Sequence, residues 1–137
     1  MKLHSINISN GGVPKRPQLA CHVGFDGLEG DRQRDLRYHG GPDRAVCLYS
    51  LELIEALRAE GHDIEPGAIG ENLTVKGVDW TLMKPGATLA VGPVRSSGDA
   101  VLECGRRRCE RWRAGCAHSG EFVAAALVRW HRVRDTE

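Results

Sequence analysis

The order of apolar and polar residues divides the chain into short segments with the two-residue alternation of β-strands. Alternation over residues 2–8, followed by turn residues, predicts a first strand. An apolar run over residues 44–49 predicts a buried strand, and further candidates lie at 72–75, 87–91 and 100–104. Many short strands separated by turn signals are typical of an all-β barrel.

Two helices are expected beside these strands. Ser50 can cap a helix that runs to about Gly61, where glycine permits the left-handed conformation of a helix stop. Leu53, Ile54 and Leu57 would form its buried stripe. A second helix is expected to begin near Ser119, with the apolar residues Phe122, Val123, Ala126, Leu127 and Trp130.

Length and composition are those of an ordinary globular protein. With 137 residues, we expect a single domain over 1–137, with a divergent or truncated C-terminal segment from about residue 95. A formal net charge of +1 argues against an electrostatic coat for nucleic acid and against an acidic tail protein. Residues 24–43 are polar and lack periodicity, and loops of such length are often functional.

The N-terminus and the cysteines bear on location. Residues 1–10 lack an apolar core behind a basic start, so we expect no secretion signal, no membrane span and a cytoplasmic protein. The five cysteines are an odd number with irregular spacing, which suits a reducing compartment better than a disulfide framework. At least one of them is a candidate working thiol.

Three blocks of sequence carry a resemblance to a known family. Residues 27–46 read GLEGDRQRDLRYHGGPDRAV and closely resemble the central signature of MOSC domains. Residues 66–74 (PGAIGENLT) are similar to the second signature of the family, and residues 11–15 (GGVPK) to the opening of its small stand-alone bacterial members. The resemblance covers about residues 5–93 and extends weakly to Cys109.

This resemblance implies a fold, a cofactor and a site. The fold would be the mainly β, pyruvate-kinase-like antiparallel barrel of MOSC domains, with one or two helices. The cofactor would be the molybdenum cofactor, molybdopterin, whose phosphate needs fixed cations and closely approaching backbone amides. The implied cofactor-binding residues are Lys15, Asp31, Arg32, His39, Gly40, Gly41, Asp43, Arg44 and Asn72.

Purely structural roles remain open for these residues. The glycines can simply form turns, and the aspartates can cap them. His39 can be a hydrogen-bonded structural histidine. Asn72 can organise the turn before its strand instead of contacting a ligand through its amide.

The resemblance also implies one working cysteine in the last third of the chain, which carries sulfur or ligates molybdenum. Cys109 matches it by position and would be both the catalytic residue and the metal ligand. The neighbouring arginines favour its thiolate form. Arg108 stands where the family normally has proline, so Cys104 is a second candidate.

Several functions fit these residues. In the favoured one, molybdenum bound to Cys109 reduces a small N-hydroxylated substrate, with electrons from a separate redox partner. Alternatively, Cys109 carries persulfide sulfur from a cysteine desulfurase to the cofactor. The third option is a non-catalytic cofactor carrier or partner subunit, and a homodimer is compatible with all three.

Two further readings rest on the C-terminal third. Zinc ligation by Cys104, Cys109, Cys116 and His118 is conceivable, but the close cysteine pairs of ordinary zinc modules are missing. The arginines of residues 106–113, with Trp112, suit single-stranded nucleic acid, yet this cluster is short. Nucleic acid is therefore not an expected partner.

Overall fold

The computed structural model describes residues 1–24, 26–37, 40 and 46–82, and the backbone of three later strands. The strands are β1 Lys2–Ile8, β2 Arg16–Gln18, β3 Val23–Gly24, β4 Gly27–Leu28, β5 Val46–Ser50, β6 Leu73–Lys76, β7 Thr88–Ala90, β8 Ala100–Cys104 and β9 Ala125–Arg132. The helix α1 spans Leu51–Ala59, and a short 3-10 helix spans Trp80–Leu82. Within the described part of the chain, no helix is long and apolar enough to span a membrane.

Seven of the strands form one sheet, in the order β2-β1-β6-β5-β9-β8-β7, while β3 and β4 form a separate hairpin. The pairs in the large sheet are antiparallel except for β5 and β6. A parallel pair needs a crossover connection, and α1 lies within it. The prediction of a mainly β fold with a helix after Tyr49 is therefore confirmed.

The closed barrel is not confirmed, because the described strands form an open sheet whose edges are β2 and β7. The prediction of a second helix is wrong for Ala126, Leu127 and Trp130, because these residues lie in β9. This strand pairs with β5 on one side and β8 on the other. Long-range pairing on both sides outweighs the local helical period of its apolar residues, which is what the prediction rested on.

The local signals at both ends of α1 are confirmed. The Ser50 hydroxyl accepts a hydrogen bond of 3.3 Å from the backbone N–H of Leu53 and caps the first turn. Gly61 follows the last turn with a φ of +98°. Leu51 and Ile54 are the buried residues of the helix, whereas Leu53 and Leu57 of the predicted stripe are half-buried.

The hydrophobic core lies on one face of the central strands. It consists of the buried residues Leu28, Val46, Leu48, Leu73 and Val75. Along β5 the burial alternates, so Val46 and Leu48 face this core while Cys47 between them is half-buried. Cys47 is thereby turned to the opposite face of the sheet.

On that side of the molecule the loop before β6 presses against the loop before β2. The backbone N–H of Lys15 donates a hydrogen bond of 2.8 Å to the carbonyl oxygen of Gly67. Gly67 has a φ of +92°, and a Cβ at this position would overlap the carbonyl oxygen of Lys15. Only glycine permits this contact without a shift of the backbone.

This contact predicts different effects for two glycine substitutions that share a positive φ. Gly61→Ala should lower the free energy of unfolding by about 1–2 kcal/mol, because alanine is strained in the left-handed backbone conformation and its methyl group meets no other atom. Gly67→Ala should cost about 1–3 kcal/mol more, since the added methyl group overpacks the two loops. Urea denaturation of both variants measures the difference, and equal losses would contradict the close contact.

Candidate functional site

A cavity of about 300 Å³ lies where the loops before β2 and β6 meet the segment after β4. Its lining residues are Gly12, Val13, Lys15, Arg32, Gln33, Arg34, Asp35, Gly40, Cys47, Ile69, Gly70 and Asn72. The sheet explains why such distant residues meet. Because β1 lies between β2 and β6, the loops that precede these two strands come side by side.

Asp31 is the hub beneath this cavity, with only 1% of its side chain exposed. Its two carboxylate oxygens each accept a bond of 2.6 Å from the ammonium group of Lys15. One oxygen also accepts from the Ser9 backbone N–H at 2.9 Å, and the other from the Asn72 amide at 2.8 Å. Asp31 thus joins β1, the β2 loop and the β6 loop.

The side chain of Asn72 extends this network into the sheet. Its oxygen accepts a bond of 3.1 Å from the backbone N–H of Cys47, while its nitrogen contacts both Asp31 and the carbonyl oxygen of Asn7. Asn72 is 4% exposed. Both ends of the amide are therefore bound to protein, and Asn72 holds the cavity wall as well as lining it.

A second row of buried polar residues lies behind Asn72. Asn7 donates to the Thr74 hydroxyl at 3.1 Å, and Thr74 donates to Glu71 at 2.8 Å. The same Glu71 oxygen accepts a hydrogen bond of 2.7 Å from the backbone N–H of Gly67, which fixes the loop before β6 where Gly67 contacts Lys15. The other oxygen of Glu71 is buried and has no hydrogen-bond partner in the described part of the protein.

Residues 31–35 pass along the cavity with alternating orientation. Asp31 and Gln33 point inward, where the Gln33 amide donates to Asp31 at 3.3 Å. A Cβ at Gly40 would lie 2.8 Å from the Gln33 side-chain oxygen, so Gly40 packs directly on Gln33. Arg32 and Arg34, on either side of Gln33, are exposed and line the cavity together with Gln33.

The two cysteines whose side chains lie within the described ranges differ in environment. Cys21 packs against the hydrophobic core, and burial raises the pKa of its thiol, helped by the negative charges of Glu29 and Asp31 and opposed by a hydrogen bond to the Glu29 carbonyl. Cys47 lines the cavity. Cys47 was not a predicted site residue, although its position between two buried strand residues indicates that its side chain points away from the core.

The described residues include half of the predicted site. Lys15, Arg32, Gly40 and Asn72 line the cavity, and Asp31 lies beneath them. The other predicted site residues, His39, Gly41, Asp43, Arg44 and Cys109, lie outside the described residues, as does the side chain of Cys104. Arg34 was not predicted because it is one of four arginines in residues 27–46, and Gln33 and Asn7 were not predicted because they carry no charge.

The alternative zinc ligands and the arginine cluster of residues 106–113 also fall mostly outside the described ranges. Within those ranges, no group of three or more potential metal-ligating side chains is present. Neither alternative gains support from the residues whose positions are known.

Comparison with known proteins identifies relatives. Residues 35–133 match the family model of the MOSC domain. The chain is 33% identical over 99 residues to the uncharacterized protein YflK of Bacillus subtilis and 30% identical over 86 residues to the protein YiiM of Escherichia coli. These matches cover 71% and 60% of this chain, but only 42% and 36% of the two relatives.

A solved structure agrees on the fold. It is described as the crystal structure of a hypothetical protein, is 18% identical, and superimposes with a TM-score of 0.51 over 98% of this chain and 69% of its own. The family model alone spans well over half of the 137 residues. On these grounds the chain belongs to the MOSC domain family, which is known for binding the molybdenum cofactor.

Proposed function

We propose that this protein binds the molybdenum cofactor in the cavity between the β2 loop, the β6 loop and residues 31–40. The observation that carries this proposal is the position of the lining residues in the sequence. Every one of them except Cys47 belongs to residues 11–15, 27–46 or 66–74. The three blocks that resemble the family signatures in sequence therefore converge on one cavity.

The groups around the cavity suit a ligand with an anionic phosphate and a broad polar ring. Arginine side chains supply fixed positive charge, and glycines at positions 12, 40 and 70 let the backbone approach closely. Asp31, Lys15 and Asn72 hold these elements in place through bonds of 2.6–2.8 Å. His39, Gly41, Asp43 and Arg44 continue the same block and are proposed to complete the binding site.

Cys109 is proposed as the metal ligand and catalytic thiol. The strand register supports this assignment, because Val128 of β9 pairs with Cys104 on one side and with Val46 on the other. The end of β8 is therefore level with the start of β5, two strand spacings of about 5 Å away. Cys104, five residues before Cys109 in the sequence, is therefore close to the level of Cys47, which lines the cavity.

The proposed reaction is reduction of an N-hydroxylated compound. When bound, the cofactor supplies a molybdenum centre at which an N–OH group takes up two electrons and two protons, giving the amine and water. A separate cytoplasmic redox partner would deliver the electrons. The residues of this chain bind the cofactor, hold its phosphate group and position the thiol of Cys109. We propose that the chain forms a single domain and that its sheet belongs to the β-barrel typical of the family.

Anaerobic purification with molybdenum and pterin analysis tests this proposal. The wild-type protein should contain both, and Cys109→Ser should keep the pterin while losing reduction of N-hydroxylated bases, because the thiolate is the proposed metal ligand. Cys21→Ser serves as the matched control and should keep both. Absence of pterin from the wild type would contradict the proposal, whereas persulfide on Cys109 without reductase activity would favour the sulfur-carrier alternative.

Because Asp31 joins three segments of the chain beneath the cavity, Asp31→Asn should lower the stability of the protein strongly. This change leaves the Lys15 ammonium, 9% exposed, without its counter-charge, and breaking a buried pair in this way costs about 3–5 kcal/mol. Glu65→Gln is the control, since Glu65 and its partner Arg58 are both solvent-exposed and the loss should be small. Chemical denaturation measures both, and equal effects would contradict a structural role for the buried pair.

The raised pKa of Cys21 predicts slow alkylation at neutral pH. Because only the thiolate reacts and burial favours the neutral thiol, the rise of its reaction rate with pH should be displaced upward from that of the unfolded protein. Peptide-resolved mass spectrometry after iodoacetamide pulses at several pH values measures this. Identical profiles for folded and urea-unfolded protein would show that the environment of Cys21 is not as described.

A further inference from the structure

Two segments of the chain carry concentrated charge of opposite sign. Residues 52–65 form most of α1 and the loop after it, and they contain five carboxylates and one arginine, a net charge of −4. Residues 106–113, which we call the arginine segment, follow β8 and contain five arginines and one glutamate, a net charge of +4. Because the whole chain has a formal net charge of only +1, these two segments differ from the rest and match each other.

The carboxylates on the outer side of α1 are exposed and largely uncompensated. The one arginine of this stretch, Arg58, is already paired with Glu65. Glu52 in the first turn accepts a bond of 2.6 Å from the backbone N–H of Gly77. The other exposed carboxylates of the stretch have no lysine or arginine partner within the described ranges, and we call them the acidic face: Glu55, Glu60 and Asp63.

The topology brings both charged segments to the end of the sheet where the cavity lies. The parallel strands β5 and β6 both begin beside the cavity, which is lined by Cys47 and Asn72. Since α1 starts at the far end of β5, the chain returns along α1, and residues 60–65 come back to the cavity end. The pairing of β9 with both β5 and β8 places the last residue of β8 level with the first residue of β5.

The arginine segment is long enough to reach the acidic face from the end of β8. The helix α1 packs on β6, and β6 is three strand spacings of about 5 Å away from β8. Eight residues such as 106–113 span up to roughly 26 Å when extended. Guanidinium groups are forked donors whose geometry matches carboxylates. Length and chemistry therefore both permit the contact.

We propose that the acidic face binds the arginine segment of the same chain across the cavity end of the sheet. The arginines themselves lie outside the described residues, and charge, topology and reach support the contact. Single exposed ion pairs stabilise little, but several carboxylates that meet several arginines form a network, in which such pairs contribute more. Cys109 lies within this segment, so its thiol would be held at the cavity end. Only that consequence for the thiol rests on the proposed function.

Limited digestion of the full chain with trypsin tests this contact, because trypsin cleaves after arginine and needs access to its side chain. Cleavage within residues 106–113 is followed by mass spectrometry, relative to cleavage after the exposed Arg37. Glu60→Gln combined with Asp63→Asn should speed cleavage of the arginine segment about three- to tenfold. Loss of two ion pairs raises the population of the unbound segment, which is the form that is cut.

A matched variant and added salt separate this contact from a general effect of charge. Asp26→Asn combined with Glu29→Gln removes two exposed carboxylates at the hairpin of β3 and β4, and cleavage of the arginine segment should stay at the wild-type rate. Added salt should speed this cleavage in the wild type, because salt screens exposed charges. The Glu60→Gln, Asp63→Asn protein should respond to salt much less.

An exchange of charges tests the pairing directly. Glu60→Arg combined with Asp63→Arg should expose the arginine segment more than neutralisation does, because like charges then repel each other. Addition of Arg107→Glu and Arg111→Glu to this protein should restore protection of the other arginines of the segment, since the pairs are reversed and not lost. Absence of any recovery would contradict direct contact.

Two further results would overturn the proposal. One is equal cleavage of the arginine segment in the wild type and in the Glu60→Gln, Asp63→Asn protein. The other is protection that disappears when the wild type is diluted, which would assign the acidic face to the arginine segment of a second copy. Because the digestion needs no cofactor, absence of pterin from purified protein counts against the proposed function alone.

Discussion

The buried ion pair of Lys15 and Asp31 is the interaction on which the geometry of the cavity depends. Three chain segments that are far apart in sequence meet at the carboxylate of Asp31, which accepts bonds from the ammonium of Lys15, the backbone of Ser9 and the amide of Asn72. Each charge is tolerable in the interior only because the other lies 2.6 Å away. Separation of these segments would leave both charges buried without compensation.

This pair explains why the site is polar on the inside and cationic on its surface. The acidic and amide groups are hydrogen-bonded to other residues of the protein and hold the loops together. In the described part of the cavity, the groups that face solvent are mainly arginine side chains and glycine backbone. The interior network therefore fixes the frame, whereas the exposed guanidinium groups are available for recognition. Such a division is expected where a site must be rigid before its ligand arrives.

Much of the fold could be predicted from local signals. The hydroxyl of Ser50 and the glycine at position 61 mark the ends of α1, and alternation marks β1 except where its register shifts between Leu3 and Ser5. The β9 strand could not be recognised in this way, because its conformation depends on pairing with β5 and β8. The period of its own apolar residues favours a helix, and only the long-range partners reverse that preference.

The same difference between local signals and long-range pairing applies to the candidate site. Sequence resemblance pointed to Lys15, Asp31, Arg32, Gly40 and Asn72, which the structure places in or beneath one cavity. It gave no indication that the amide of Asn72 is bonded at both ends, or that Cys47 faces the cavity, since both facts follow from how β5 and β6 pair. Arg34 became a candidate only through its place in the wall of the cavity.

The outer edge of the sheet has a further consequence. An unpaired edge strand is a template on which the strand of another chain can add, and it is a common starting point for aggregation. β2 is three residues long, is fully exposed, and contains Arg16 and Pro17. A proline has no N–H to donate and a charged neighbour disfavours close approach, so this edge resists the growth of intermolecular sheets.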